Sequence, residues 1–302
     1  MIKRLFKSIR EYKLSSILTF IFILGEAAIE CVIPVITAKL INRIQDGAEM
    51  SDLIKTGVLL VVMAIASLAC GGIAGVTCSK ASSGFAKNLR HDIFSKVQTY
   101  SFENIDKFSS SSLVTRLTTD VSNVQMAYMM IIRTAIRAPL MLIFSVIMAY
   151  IMGGSLATLF VIIIPVLVIG LFIISRKAMP AFRSVFKKYD RLNESIEENV
   201  RGMRVVKGFA REDYEKKKFG IAAGDICKDF TKAERIVALN SPLMQICVYF
   251  NMAFILIVGS RLIITSAGSS LGIGDMSSML TYGFQILMQL MMLAMIYVML
   301  TM

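Results

Sequence analysis

The chain has 302 residues, of which 56% are hydrophobic, a mean hydropathy of +0.67 and a formal net charge of +12. Hydropathy at this level excludes an ordinary soluble domain and makes the bilayer the relevant solvent. The positive charge follows membrane topology here, so we expect no nucleic-acid partner. Its five cysteines form no C-x-x-C or Cys/His grouping, so neither a disulfide nor a metal site is expected.

Six apolar segments are each long enough to cross a bilayer as a helix, which takes about 20 residues. We assign them to one membrane domain over residues 14–302, with spans at about 14–40, 53–79, 126–150, 156–175, 240–264 and 276–302. The predicted fold class is an all-α membrane protein with six transmembrane helices and long cytoplasmic extensions.

Lysine and arginine are distributed unevenly around these spans. Residues 1–13 contain five of them and one acidic residue. Of the 33 in the chain, those on the opposite side are Lys39, Arg43, Lys55 and Arg261. Because cytoplasmic loops are rich in Lys and Arg, we expect residues 1–13 and both termini to be cytoplasmic. We expect a multi-pass protein of the plasma membrane, in contact with membrane lipids.

Four charged residues at membrane depth are candidates for a substrate cavity. They are Glu26 and Glu30 in the first span, and Arg133 and Arg137 in the third. A charge at the bilayer centre costs about 2.5–3.5 kcal/mol on insertion scales, so such residues face protein or water rather than lipid. The carboxylates either contact substrate or form hydrogen bonds between helices. The arginines either line a wet cavity or extend to the headgroups.

The last span supplies the remaining cavity candidates, Met288, Met291 and Met295. Flexible, polarizable thioethers suit a surface that binds varied apolar compounds. They equally suit a helix interface that needs an adaptable filler, and the sequence leaves both interpretations open.

Two charged loops, at about 80–125 and 176–235, continue the helical periodicity of the spans beside them. Counted from the far ends of those spans, about 49 and 53 residues of helix give lengths of about 73 and 80 Å. A hydrocarbon core of about 30 Å leaves two helical hairpins that extend about 40–50 Å into water. Channels and secondary transporters rarely need such extensions, whereas a transporter driven by a cytoplasmic motor does.

The turns of both hairpins carry motifs. The first contains Ile105-Asp-Lys-Phe108 and Thr115-Arg-Leu-Thr-Thr-Asp-Val121. The second has its turn near Gly208 and contains Glu198, Gly202, Val206, Lys207, Phe209 and Glu212. This combination resembles the intracellular loops of an ABC exporter half-transporter, the type-1 transmembrane domain of multidrug and lipid exporters. Arg137-Ala-Pro-Leu140 and the methionine-rich residues 286–295 resemble, more weakly, a subgroup that often forms heterodimers.

The resemblance covers nearly the whole chain and implies a dimer of six-helix units around a cavity that opens alternately to either side. It implies ATP-driven efflux of amphipathic compounds, lipids or peptides. The expected partners are a second half-transporter, identical or not, and ABC nucleotide-binding domains onto which coupling segments at about 104–113 and 208–219 dock. The residues carried over for coupling are Asp106, Phe108, Arg116, Asp120, Gly208, Phe209, Arg211, Glu212 and Tyr214.

The sequence has no G-x-x-x-x-G-K-[ST] phosphate loop, since the segment Gly202 to Gly208 has its lysine before the second glycine. We therefore expect no catalytic, cofactor or metal site in this chain, with ATP and Mg²⁺ bound by a nucleotide-binding domain that residues 1–302 lack. That ATPase would be fused in a longer protein or form a separate chain. The alternative function is a non-transporting membrane regulator or channel-like module. A membrane-embedded enzyme is disfavoured because no catalytic grouping marks a reaction centre.

Overall fold

The computed structural model describes Leu5, residues 7–101, residues 110–266 and residues 271–301. The described residues form helices and short turns, with no strand among them, which confirms the predicted all-α class. In chain order the helices are α1 (Lys13–Gln45), α2 (Met50–Gln98), α3 (Ser110–Thr115), α4 (Val121–Met130), α5 (Ile136–Gly153), α6 (Thr158–Arg201), α7 (Met203–Gly208), α8 (Glu212–Ala238), α9 (Asn240–Ser266) and α10 (Ile273–Thr301).

The helical run from α3 to α5 changes type twice, a feature that the sequence pattern did not predict. Two π-helical segments, Arg116–Asp120 and Ile131–Ala135, separate its three α-helices. The second of them ends one turn before Pro139. Proline has no amide hydrogen to donate to the carbonyl four residues earlier, here that of Ala135, so the regular α-helical ladder is interrupted at this point.

Five helical stretches of the described chain are long and apolar enough to cross a membrane. One of them, Ser111–Arg201, has 91 residues and contains a 3-10 turn at Gly154–Ala157. Gly154 has a φ of +50°, which costs glycine little. This turn separates α5 from α6, so the stretch holds the third and fourth predicted spans.

Contacts divide the chain into two units, Met1–Val161 with Asn251–Ile296, and Ile162–Phe250 with Tyr297–Met302. In the first unit α1 and α2 are antiparallel. Near one end of the pair Thr19 donates a hydrogen bond to Thr77, and near the other Arg43 donates to Thr56. Small residues let the two helices approach closely along this length.

The short connections of the first unit lie at one end of its helices. Asn42, near the end of α1, accepts a hydrogen bond from the Gly274 amide at the start of α10 over 2.7 Å. Gly153, at the end of α5, is covered by the Met279 side chain of α10. The opposite end therefore carries the long extensions of α2 and of the run that begins at Ser110.

The second unit is an antiparallel pair formed by α6 and α8. Phe182 and Phe230 pack edge to face with ring centroids 6.0 Å apart. Further from the apolar part of α6, Asn199 donates a hydrogen bond of 2.8 Å to Glu215. A residue later in α6 therefore contacts a residue earlier in α8, as in an antiparallel pair. This confirms the two antiparallel arms predicted for this loop.

Candidate substrate and coupling sites

Three of the four charged residues of the first and third spans meet in one group. The Arg137 Nη2 atom lies 2.7 and 2.9 Å from the two carboxylate oxygens of Glu30, and 3.3 Å from Glu26 Oε1. Glu26 and Glu30 lie one turn apart on α1 and so present both carboxylates to the same arginine. We call Glu26, Glu30 and Arg137 the charge group. Its pairing gives the carboxylates a counterion inside the membrane domain.

The arginine is held by one arm of its guanidinium. All three contacts use Nη2, whereas Nε is buried and has no hydrogen-bond partner within the described residues. A fork-to-fork pair would use two nitrogens and would be more rigid. Arg137 can therefore exchange partners at a lower cost than an arginine in a two-nitrogen pair.

Two glycines of α2 leave space for charged side chains of the neighbouring helices. A methyl group on Gly71 would lie 3.1 Å from Glu26 Oε1, and one on Gly75 would lie 3.7 Å from Arg133 Nη1. Gly71 and Gly75 are one turn apart on the same face of α2. The sequence indicated only close helix packing here, whereas the structure shows that these glycines lie under two of the four predicted charged residues.

Beside the charge group is a polar layer that sequence reasoning missed. The Tyr282 hydroxyl donates a hydrogen bond of 2.6 Å to the Cys31 carbonyl, and the Ser145 hydroxyl donates one of 3.2 Å to Gln285 Oε1. Tyr282 is fully buried. The sequence did contain a signal for this layer, a tyrosine and a glutamine three residues apart in an apolar span. Buried polar groups in a membrane need hydrogen-bond partners. This layer ties α10 to α1 and α5.

Met288, Met291 and Met295 all lie on α10 with exposed side chains. Their spacing of three and four residues puts them on one helix face, which Phe284 extends by one turn. Among the contacts described for α10, Tyr282 and Gln285 rather than these methionines are linked to α1 and α5. The methionine face is thus separate from the charge group in this chain.

The turn of the second hairpin is built from two breaks. α6 ends at Arg201, Gly202 interrupts it, and α7 ends at Gly208. The prediction of a helix end at Gly208 is confirmed for α7, but the first arm ends earlier. The residue with a left-handed backbone is Ala210, with a φ of +49°, a conformation that is strained for a residue with a Cβ.

The predicted coupling residues of this turn are exposed. Phe209 has 76% of its surface accessible, and Tyr214 is also exposed. The Arg211 guanidinium lies 5.9 Å from the centre of the Tyr214 ring, within range of a cation–π contact. Glu212 is the first residue of α8, where a carboxylate stabilises the helix dipole. The turn therefore presents two aromatic rings and adjacent opposite charges to solvent.

An apolar groove of about 460 Å³ lies between the arms behind this turn. Its apolar lining includes Ile196, Val200, Met203, Val206 and Phe219. The recurring apolar positions of α6 predicted a face that needs a packing partner, and part of that face remains uncovered in the single chain.

The first turn is described in part. Asp106 and Phe108 lie outside the described residues, whereas Arg116 and Asp120 are the first and last residues of a π-helical segment. Arg90 of α2 holds this segment in place, since its Nε donates to the Leu117 carbonyl over 3.3 Å. Arg116 and Asp120 also line a groove of about 550 Å³ beside α2.

Nothing in the described ranges groups three or more His, Cys, Asp or Glu side chains in an arrangement that could hold a metal ion. The features that remain are a set of long apolar helices able to cross a membrane, a charge group among them, and helices that continue far beyond their apolar parts into a solvent-exposed turn. Together they define the membrane-spanning part of a transporter.

The family described as the ABC transporter transmembrane region matches residues 16–291, and the chain belongs to this family. It is 29% identical over 281 residues to YfiB of Bacillus subtilis, an uncharacterized ABC transporter ATP-binding protein, which covers 92% of this chain and 48% of the relative. It is 24% identical over 263 residues to Rv1273c of Mycobacterium tuberculosis, another such protein, covering 87% and 45%.

A third relative is the ATP-dependent lipid A-core flippase of Pseudomonas savastanoi, 25% identical over 199 residues, which covers 66% of this chain and 33% of the flippase. The chain spans about half the length of the first two relatives. The resemblance to an ABC transporter membrane domain is thereby confirmed, and the chain is a membrane protein.

Proposed function

We propose that this chain forms the translocation path of an ATP-driven ABC exporter and transmits motion from nucleotide-binding domains to that path. The observation that carries the proposal is the continuity of the long helices. At 1.5 Å per residue α2 is about 73 Å long and α6 about 66 Å, more than twice a hydrocarbon core of about 30 Å. A continuous helix moves nearly as a rigid body, so displacement at its outer end reaches the membrane.

The proposed docking element is the turn that contains Phe209, Arg211, Glu212 and Tyr214. An exposed aromatic side chain beside opposite charges is typical of a protein interface, where aromatic residues and arginine are enriched. Asp106, Phe108, Arg116 and Asp120 would form the corresponding element of the first hairpin. ATP and Mg²⁺ would be bound by the nucleotide-binding domains, and a second half-transporter would complete the dimer. Both relatives are described as ABC transporter ATP-binding proteins and are about twice as long as this chain, which supports an ATP-binding partner.

The proposed substrate site is the charge group with Arg133. The methionine face of α10, which is separate from that group in the single chain, would provide a second, apolar surface for the substrate. Because Arg137 is held by a single nitrogen, a charged substrate can replace one of its partners. An anionic substrate would bind Arg137 and release a carboxylate, whereas a cationic substrate would bind Glu26 or Glu30. The cargo proposed is an amphipathic compound, lipid or peptide with an ionic group, moved out of the cell.

The test is substrate-stimulated ATP hydrolysis and vesicle transport by the intact transporter, measured against a panel of acidic, neutral and cationic amphipaths. Stimulation and transport by the same members of the panel would support an exporter. Nucleotide hydrolysis that no compound stimulates, with no transport, would contradict it and favour a regulator that retains the fold.

A further inference from the structure

A groove of about 350 Å³ lies on the second unit, where the apolar part of α6 ends. The residues that matter in its lining are Phe172, Ser175, Arg176, Arg183 and Tyr297. It lies on a different part of the hairpin from the turn and its apolar groove, so docking of a motor domain does not account for it.

The position of the groove along α6 corresponds to the edge of the bilayer. From Thr158 to Ser175 this helix contains no charged residue, and Arg176 is the first. Eighteen residues of helix rise about 27 Å, close to the thickness of a hydrocarbon core. The Arg176 side chain therefore lies at the level of the lipid headgroups, and Arg183 lies two turns further along the same face.

Ser175 provides an independent sign that the groove takes a ligand. Its side chain lines the groove and only 6% of its surface is exposed, yet its Oγ has no hydrogen-bond partner anywhere in the described residues. The large majority of buried polar side-chain atoms have at least one partner, so an unpaired buried hydroxyl indicates a missing acceptor.

The charges indicate the chemistry of that acceptor. Arg176 and Arg183 are both exposed, and in the part of the chain that the structure describes neither pairs with a carboxylate. Two guanidinium groups and a hydroxyl donor suit an anion with several acceptor oxygens, which at headgroup depth is a phosphate. On the bilayer side the exposed apolar side chains of Phe172, Ile169 and Ile173 offer a surface for an acyl chain.

We infer that this groove binds the phosphate of an anionic phospholipid headgroup, with Arg176 and Arg183 as ligands and Ser175 as a hydrogen-bond donor. The acyl chains lie along the exposed apolar face of α6. The bound lipid then stabilises the hairpin at the point where it leaves the membrane. The groove shares no lining residue with the charge group or the methionine face, so it differs from the proposed cargo site.

The experiment measures lipid retention by the intact protein, purified from membranes containing phosphatidylglycerol and phosphatidylcholine and examined by native mass spectrometry. Retention of phosphatidylglycerol relative to phosphatidylcholine should fall about tenfold in Arg176→Ala/Arg183→Ala, since each basic residue near an anionic surface contributes substantially. The matched control, Lys232→Ala/Arg235→Ala, removes two charges from the basic groove of α8 and should leave the ratio within about twofold of the parent. Equal retention by both double variants would overturn the inference.

The Ser175→Ala variant tests whether the Ser175 hydroxyl binds a ligand or stabilises the fold. Without lipid the variant should be as thermally stable as the parent or more stable, because it removes an unpaired buried hydroxyl. Added phosphatidylglycerol should then stabilise it less than the parent. A variant that loses stability without lipid and responds fully to lipid would contradict the assignment. Binding of inorganic phosphate by the lipid-free protein, with displacement of phosphatidylglycerol at equal concentration, would identify a soluble phosphate ligand and overturn the lipid assignment.

Discussion

Arg137 and Glu30, on different spans, form an ion pair in which one guanidinium nitrogen contacts both carboxylate oxygens, over 2.7 and 2.9 Å. The same nitrogen lies 3.3 Å from Glu26. Breaking such a pair on one side leaves a charge without compensation, which costs more than the pair itself contributes. The stability of the membrane domain therefore depends on the pairing of these three side chains.

Replacement of Arg137 by Ala should shift transport from acidic toward cationic compounds, because the two carboxylates then act without a counterion. We expect the ratio of cationic to acidic transport to rise about tenfold, as about 1.4 kcal/mol of altered interaction would give. The measurement is vesicle uptake of one fluorescent compound of each sign. Arg137→Lys, which keeps the charge, is the control and should shift the ratio less. A ratio unaltered by Arg137→Ala would remove Arg137 from the substrate path.

Gly71 and Gly72 offer a matched pair of substitutions. Ala in a helix interior favours folding by up to about 1 kcal/mol relative to Gly. At Gly72 nothing lies within 4 Å of the added methyl group, whereas at Gly71 the Glu26 carboxylate lies 3.1–3.4 Å away. Gly72→Ala should therefore be neutral or stabilising, and Gly71→Ala should have the lower melting temperature of the two and reduced transport. Equal behaviour of the two variants would show that the space above Gly71 is not needed.

The hydroxyl of Tyr282 joins α10 to α1 through the Cys31 carbonyl. Tyr282→Phe removes this hydrogen bond without changing the ring, so we expect a loss of about 1 kcal/mol, or roughly 2–4 °C in melting temperature. Thr281→Val is the control, because within the described ranges the Thr281 hydroxyl donates its hydrogen bond to the Ser277 carbonyl of its own helix. If the two variants have the same melting temperature, the hydrogen bond between α10 and α1 contributes nothing measurable to stability.

Charge reversal at the turn, Arg211→Glu with Glu212→Lys, should weaken the coupling of ATP hydrolysis to transport and leave the membrane domain folded. Both residues are exposed, and exposed charges contribute little to folding. The effect should be larger at low salt, where surface charges are screened less. The measurement is transport per ATP at two ionic strengths. Coupling that stays at the parental level at low salt would exclude an ionic docking contact.

Much of the fold could be predicted because period and length are local properties of the sequence. The stripe of Phe85, Leu89 and Ile93 continues the second span beyond the bilayer, and α2 runs unbroken to Gln98. The π-helical segments were not predicted. The second, Ile131–Ala135, ends one turn before Pro139, which was the available local signal, whereas the first, Arg116–Asp120, has no proline beside it. At the second turn the first break falls at Gly202, and Gly208 ends only α7. Glycine permits a break, but packing decides which glycine provides it.

The members of the charge group could also be predicted, but their pairing could not. Residue spacing shows which residues share a face of one helix. The contact of Glu30 with Arg137 depends in addition on how α1 and the third span are oriented about their axes relative to each other. Tyr282 and Gln285 were not predicted, because they are two polar side chains in a span whose most frequent residue is methionine. A polar side chain in an apolar span requires a partner, and counting such residues would have found both.

The central claim is that the second hairpin transmits work from a nucleotide-binding domain to the membrane. The most direct measurement is the number of substrate molecules moved per ATP hydrolysed, in proteoliposomes of the intact transporter carrying Phe209→Ala. Ile221→Ala is the control, an apolar side chain on α8 that is 61% exposed but lies away from the turn. We expect the Phe209→Ala variant to hydrolyse ATP while its transport per ATP falls about tenfold, and the Ile221→Ala variant to match the parent. Parental transport per ATP in a folded Phe209→Ala variant would contradict the central claim.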